Sequence, residues 1–323
     1  MAEEKLKVAM FWGAACGGCD VALLDIHERI LDVVQVADIV FWPCAMDFKF
    51  KDVEAMDDDY LDITFYNGAI RNSENEHIAH LLRKKSKVMA AFGSCSHMGG
   101  IPGLGNFHDR KTIFETAYVD NKSTENPDRV FPKTEVDVPE GKLTLPEIYD
   151  TVKTLDQTLD VDYFLPGCPP NPDQIFIVIN AIATGKLPPK GSTVGASDKA
   201  LCDECPRKKT ELHFKEFKRR HLVHPDPDIC FMEQGIVCLG AATRAGCGWR
   251  CINANMPCRG CYGPLPNAHD QGAKMLTAIA SHIDSDDPEE IERILDTLPD
   301  PAGTFYRFGL PMSLLRRRQR TNS

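Results

Sequence analysis

Thirteen cysteines, unevenly placed in a chain of 323 residues, constrain this protein more than any other feature. Five precede residue 202, and the other eight fall between Cys202 and Cys261. The number is odd, and the Met1-Ala2-Glu3-Glu4 start is acidic, with no basic n-region and no twin arginine ahead of an apolar core. The expectation is a cytoplasmic protein, in a reducing compartment that disfavours disulfides. Clustered thiols there point to metal or catalysis. No stretch approaches the roughly 18 apolar residues of a membrane span. The longest candidate, residues 175–183, is short and carries Asn180. Acids outnumber Lys and Arg by 47 to 37, a formal net charge of −10, so nucleic acid is not an expected partner.

The first half alternates strand-like and helix-like patterns. Apolar runs at 6–12, 37–42, 61–66, 87–92 and 161–165 read as strands, most of them ending at Gly, Pro or Asn-Gly. Between them, Leu23, Ile26, Ile30 and Val33 share one helical face, and residues 74–85 also read as helix. Asn171 supplies an N-cap with Pro172 behind it for a helix that is apolar nearly all round and is expected to be buried. This alternation predicts an α/β fold with a doubly wound parallel sheet, whose ligands bind beyond the carboxyl ends of its strands. Residues 102–159 lack a clean period and read as a long excursion with a little local helix. From about residue 191 to 266, Cys, Gly and Pro replace periodicity, and the segment is expected to need metal to become ordered. One helix, residues 287–298, and a mixed aromatic and basic tail follow. The division expected is therefore 1–190 for the α/β domain and 191–323 for an irregular cysteine-rich domain.

Cys16 and Cys19 form a Cys-x-x-Cys just past the first strand, and Cys95 and Cys168 each stand just past another. All four fall at the carboxyl edge of the predicted sheet, where four thiolates suit zinc or a 4Fe-4S cluster. Glycines at 13, 17 and 18 permit close backbone approach, and the helix N-terminus is expected to offer its N–H groups to an anionic centre. The later eight make two more sets of four. Sequence order suggests Cys202, Cys205, Cys230 and Cys238 for one, and Cys247, Cys251, Cys258 and Cys261 for the other. Zinc favours paired Cys-x-x-Cys units, whereas Cys95, Cys168, Cys230 and Cys238 are single. The spacing favours iron–sulfur, with a zinc-stabilised scaffold protein as the alternative.

Gly13-Ala14-Ala15-Cys16-Gly17-Gly18-Cys19, Gly93-Ser94-Cys95 and Pro166-Gly167-Cys168-Pro169-Pro170, in that order, resemble the small subunit of nickel–iron hydrogenases over nearly the whole chain. Within that family the chain is most similar to the cytoplasmic methyl-viologen-reducing type, linked to heterodisulfide reductase. The resemblance implies a flavodoxin-like domain followed by an iron–sulfur domain, with three 4Fe-4S clusters. Cys16, Cys19, Cys95 and Cys168 would hold the proximal cluster. Cys202, Cys205, Cys230 and Cys238 would hold the distal one, and Cys247, Cys251, Cys258 and Cys261 the medial one. Cys202 stands where periplasmic members use histidine, and the last set has four cysteines rather than three and a proline. Both departures favour an all-cysteine, all-4Fe-4S chain, in which thiolate in place of neutral histidine lowers the potential. The related quinone-oxidoreductase subunit has adjacent cysteines in place of Cys-x-x-Cys and lacks the second cysteine-rich domain. The implied activity is electron transfer within a hydrogenase. Dihydrogen would be split in a separate large subunit, and electrons would leave to an iron–sulfur acceptor subunit and heterodisulfide reductase. A sulfur-linked or NADP-linked hydrogenase is the alternative of the same class.

Other residues carry plainer expectations. Cys44, left over from the three sets, reads as a small buried hydrophobe. His97 is balanced between a hydrogen bond to cluster sulfur and a backbone-satisfied loop histidine. His221 and His224, near the basic stretch 215–220, read as a solvated face ahead of an acceptor-docking surface. Glu76 and His77 read as the start of a helix, with large-subunit contact as the alternative. Phe305, Tyr306 and Phe308 with Arg316, Arg317 and Arg318 form either a partner-wrapping tail or a solvated end.

Overall fold

The computed structural model describes residues 5–316; the acidic N-terminus and Arg317 and Arg318 lie outside them. Five parallel strands form the central sheet: β1 (Leu6–Trp12), β2 (Ala37–Phe41), β3 (Leu61–Asn67), β4 (Ser86–Phe92) and β5 (Tyr163–Leu165). Their order is β2-β1-β3-β4-β5, the flavodoxin-like arrangement expected from the alternating pattern. The register pairs Val8 with Ile63 and Ile63 with Val88, so the three central strands end together. Both faces are covered, which is why these strands read as near-continuous apolar runs. Met10, Ala90 and Phe92 enter one core with Leu23, Ile26 and Val178. Ala9, Met89 and Ala91 enter the opposite core with Ile78 and Leu82.

The order reverses between β1 and β3, because the chain builds β2 on one side of β1 and then crosses to the other. The loops after β1 and β3 therefore open a crevice. They are stitched together there: Gly13 N–H donates to the Asn67 carbonyl at 2.7 Å, and Ala14 and Ala69 exchange backbone bonds.

Several sequence expectations are corrected. The single helix expected after β1 is broken into α1 (Gly18–Leu24), a 3-10 turn (His27–Arg29) and α2 (Ile30–Val36). His27 sits at φ 57, a left-handed conformation that interrupts the helix. Leu23, Ile26 and Val33 still face the core, so the period survived the break. The helix after Asn171, α3 (Pro172–Ala183), is capped as expected, the Asn171 side chain accepting from Asp173 N–H. It is not buried all round: Ile175, Val178 and Ile179 are, whereas Ile177 is 63% exposed. The excursion holds a hairpin, Glu135–Val138 with Gly141–Thr144, and a strand, Ile148–Lys153, that pairs antiparallel with Ile70–Asn72.

The cysteine-rich region has a core of its own. Phe214, Phe217 and Phe231 pack with Met275, Ile279, Phe305 and Leu310. Three helices close this core rather than the one expected from the sequence, because Gln271–Ala280, capped by Asp270, precedes Pro288–Asp296 and the short Pro301–Phe305 follows it. The tail is neither loose nor wrapped outward as far as it is described. Phe305, Tyr306 and Phe308 are buried. Gly100 N–H donates to the Phe308 carbonyl, and Gln157 reaches the Pro311 carbonyl at 2.8 Å. The tail thus straps the second region onto the first.

One charged knot holds the β5 edge. Asp162 accepts from Arg83 Nη1 at 2.7 Å and Met89 N–H at 2.8 Å, and pairs with Lys190 Nζ at 2.5 Å. Burial alone would push its carboxyl up, but these three donors outweigh it and hold it below the ordinary carboxylate range. Asp162→Asn is expected to cost about 1–3 kcal/mol at pH 7. Because the folded-state value is depressed, the native group's contribution is complete above the ordinary carboxyl range. It is lost as pH falls through the folded-state value, so the variant's deficit shrinks below about pH 4. Urea midpoints of both proteins across that range check the sign.

Candidate metal centre

The switch-point crevice gathers the first four cysteines. Cys16 and Cys19 come from the turn between β1 and α1. Cys95 lies on the short helix Ser94–Met98 directly after β4, and Cys168 follows β5. Backbone bonds fix the loops to one another: Gly93 N–H donates to the Leu165 carbonyl and Ser94 N–H to the Gly167 carbonyl, both at 2.8 Å. The four side chains feel one another directly. Burial first, then the thiols of Cys95 and Cys168, with Asp20 and Cys16 behind them, push the Cys19 thiol far up. Cys95 is pushed up to about 12 by burial and by Cys168, and Cys168 upward by burial and by Cys16.

A thiol must ionise to bind metal, and burial among other thiols opposes that unless a cationic centre compensates. This donor set fits a metal group carrying several positive charges. The helix N-terminus contributes less than the sequence implied, because α1 has only seven residues. The nearest backbone donor to a thiol in this turn is Gly18 N–H, 3.4 Å from Cys16 Sγ. Two other glycines leave room for the sulfurs. A Cβ on Gly93 would stand 2.4 Å from Cys19 Sγ, and one on Gly100 would stand 2.4 Å from Cys95 Sγ.

Beneath Cys19 lies a polar network that the sequence did not reveal. Asp20 is buried and accepts from Trp42 Nε1 at 2.9 Å and Asn67 Nδ2 at 2.7 Å. The only available signal was an acid directly after the second cysteine. Cys44 nearby is exposed rather than buried, because Pro43 carries it out beyond β2. His97 is on a helix rather than a loop and is half-buried, its ring 4.7 Å from that of Phe164. Its Nδ1 has no partner, and burial, with Arg244 nearby, lowers it to about 4, so it is a neutral imidazole. Glu76 and His77 are also helical. Glu76 is spent on Lys153 Nζ at 3.1 Å, and His77 is exposed.

Of the later eight, Cys202, Cys205, Cys230 and Cys238 converge. Burial and then Cys238 push Cys202 up to about 12, with Cys230 and Cys205 adding to it. Burial pushes Cys238 to about 11 against opposing N–H groups of Gly240 and Cys258. Arg207 organises this convergence: its guanidinium donates to the Asp226 and Ile229 carbonyls and to Asn255, and lies 3.7 Å from the Phe231 ring centroid. Cys247, Cys251 and Cys261 form the other group, with Cys261 raised to about 12, mainly by burial. Cys258 stands between the groups, facing both Cys238 and Cys261, and its N–H donates to Cys238 Sγ at 3.3 Å.

The groups join in a row. Cys168 N–H donates to Cys261 Sγ, and Ser94 Oγ donates to the Cys261 carbonyl at 2.7 Å. Tyr262 next door donates to Gln174 of α3 at 2.5 Å, and Arg250 reaches the Asn171 cap at 2.6 Å. The order in space is therefore the Cys16–Cys168 group, then the group of Cys261, then that of Cys238. Among the described residues, no three His, Cys, Asp or Glu side chains converge closely enough for a single metal ion.

Comparison with known proteins shows the family to which the chain belongs. Residues 16–182 match the family described as "NADH ubiquinone oxidoreductase, 20 Kd subunit". The chain is 40% identical to the iron-sulfur subunit of the F420-non-reducing hydrogenase of Archaeoglobus profundus, over 97% of this chain and 98% of that one. It is 38% identical to the corresponding subunit of the F420-non-reducing hydrogenase of Methanothermobacter marburgensis, over 97% and 96%. Among solved structures, a chain of the [NiFeSe] hydrogenase of Desulfovibrio vulgaris Hildenborough superposes with a TM-score of 0.51 at 18% identity. That match covers 82% of this chain and 95% of the other, and it shows a shared fold.

Proposed function

The chain belongs to the iron–sulfur subunits of F420-non-reducing hydrogenases, which are small subunits of nickel–iron hydrogenases, and we propose that it conducts electrons between a hydrogen-splitting large subunit and an acceptor subunit through three 4Fe-4S clusters. Hydrogenase small subunits carry iron–sulfur clusters and pair with a large subunit. The observation that carries the finer reading is the row of thiols, from Cys168 through Cys261 and Cys258 to Cys238.

Cys16, Cys19, Cys95 and Cys168 would hold the proximal cluster, Cys247, Cys251, Cys258 and Cys261 the medial one, and Cys202, Cys205, Cys230 and Cys238 the distal one. When bound, each such cluster supplies a one-electron carrier of low potential. The chain's own work is to exclude water from the thiols, supply N–H donors to their sulfurs, and keep neighbouring groups close. Cys168 N–H and Cys258 N–H perform the last two tasks together, since each donates from one cysteine of the row to the sulfur of another group. No histidine is needed as a ligand, because twelve of the thirteen cysteines fill three sets and Cys44 remains outside.

The division into residues 1–190 and 191–323 is supported by the separate apolar core of the later region. Among the described residues no helix is long and apolar enough to cross a membrane. The odd number and clustering of the cysteines suit a reducing compartment such as the cytoplasm, and the acceptor implied by the family resemblance is an iron–sulfur subunit linked to heterodisulfide reductase.

Metal analysis of the anaerobically purified complex tests this reading. The expected result is about twelve iron and twelve acid-labile sulfide for this chain's clusters, four for each, over and above the iron of the large subunit's nickel–iron site and of the acceptor subunit, with nickel following the larger companion. Zinc at about two or three per chain without iron would establish the structural alternative instead.

A further inference from the structure

A concavity rich in basic side chains lies beside the Cys238 group of the thiol row. We propose that this cavity, about 450 Å³ in volume, is the docking site for an acidic, electron-accepting partner protein. It is lined by Lys218, Arg219, Arg220, His221, Arg259 and Arg307, in a chain whose formal net charge is −10. Two of the arginines are oriented without being neutralised. Arg220 donates to the Asn255 and Val223 carbonyls, both at 2.9 Å, and Arg307 Nε donates to the Gly303 carbonyl at 3.1 Å. Asp300, the one carboxylate on the wall, accepts from Gly303 N–H at 3.1 Å as a helix cap. Lys218 alone has a carboxylate partner, Glu216 at 2.7 Å. Among the described residues no carboxylate pairs with Arg219, Arg220, Arg259 or Arg307. Arg259 and Arg307 are instead close enough to repel.

Position fixes the kind of occupant. Val237 in the wall precedes Cys238, and Arg259 follows Cys258, so the cavity opens where those two thiol groups meet. No residue before Lys218 lines it, and the switch-point crevice is elsewhere. Ile236, Val237 and Met256 supply an apolar floor. Planar guanidiniums around such a floor match carboxylate side chains projecting from a protein surface. Concentrating cations at one place on an acidic chain steers an acidic partner to that place and repels it elsewhere. The proposal rests on the electron-transfer reading, since only an outlet of that row gives the partner's location a purpose.

The test uses this chain in complex with its large subunit, without the acceptor subunit that would cover the cavity, and, as probe, a small acidic ferredoxin in its oxidised form, with the Kd measured by calorimetry. The wild-type Kd should weaken as salt is raised. Arg219→Glu with Arg307→Glu should weaken it at least about tenfold, and the glutamine pair should fall between. Hydrogen-dependent reduction of methyl viologen, a cationic dye, should stay within about twofold in both variants, which verifies that they fold and assemble. Wild type that binds no ferredoxin, or variants whose Kd is unchanged, would overturn the proposal. So would pyrophosphate binding that both variants abolish while ferredoxin affinity holds, which would make the cavity a small-anion site. A wild-type complex containing iron that reduces no dye under hydrogen would sink the electron-transfer reading instead.

Discussion

Replacing Cys168 by alanine is expected to remove about four of this chain's twelve irons in the assembled complex and to lower hydrogen-dependent methyl viologen reduction by more than about 100-fold, beyond the range of outer-shell changes at metal sites. Cys168 occupies two roles at once. Its thiol completes the first group with Cys16, Cys19 and Cys95, and its N–H donates to Cys261 Sγ in the next. Alanine preserves the N–H, so the contact to Cys261 and the packing of Tyr262 against Gln174 remain. The loss should therefore be local: large-subunit association and about eight of this chain's irons are retained while turnover collapses. Near-normal dye reduction in this variant would contradict the proposed path. Serine in the same position distinguishes a missing ligand from a missing side chain, because its oxygen is a harder donor than thiolate.

The second large effect is expected from Gly93→Ala. Gly93 lies at φ 84, ψ 166, a region that L residues avoid. Its N–H is committed to Leu165, so the backbone cannot swing away without releasing the β4–β5 edge. The added methyl would meet Cys19 Sγ at 2.4 Å, which forces either the thiol or the strand end to move. Strain and overpacking together should cost about 2–5 kcal/mol. The urea midpoint of the purified complex should fall, and the first group's iron should be lost preferentially. Unchanged iron content and midpoint would mean that the crevice is looser than its contacts indicate. Gly105→Ala is the matched control, since its Cβ would meet only Ile113 Cδ1 at 3.7 Å.

Much of the first half was legible because its signals are local. Each strand run from β1 to β5 was visible as an apolar stretch. The N-cap at Asn171 was visible from the Asn-Pro pair, and the face Leu23, Ile26 and Val33 from its period. The break at His27 was not, because a left-handed residue leaves the surrounding period intact. The exposure of Ile177 was hidden for a different reason: apolarity around a whole helix predicts burial unless the fold runs out of neighbours to cover it. In the second half, Gln271–Ala280 carried usable signals in the Asp270 cap and the Met275 and Ile279 spacing. The surrounding Cys, Gly and Pro obscured them. The core of Phe214, Phe217 and Phe231 with Phe305 could not be read, since its members are separated by irregular chain.

Strand order in the chain was enough to bring Cys16, Cys19, Cys95 and Cys168 together. Parallel strands joined by crossovers place all their carboxyl ends on one edge, so cysteines just past three different strands share it. Residue spacing also supplied the grouping of Cys202, Cys205, Cys230 and Cys238. It took the packed molecule to set Cys261 against Cys168 and Cys258 against Cys238, to lay the tail across Gly100, and to collect the basic side chains of Lys218, Arg219, Arg220, Arg259 and Arg307 into one cavity. Those contacts join loops with no period and no fixed register. Their geometry follows from how an apolar core closes around them and which side chains it leaves outside.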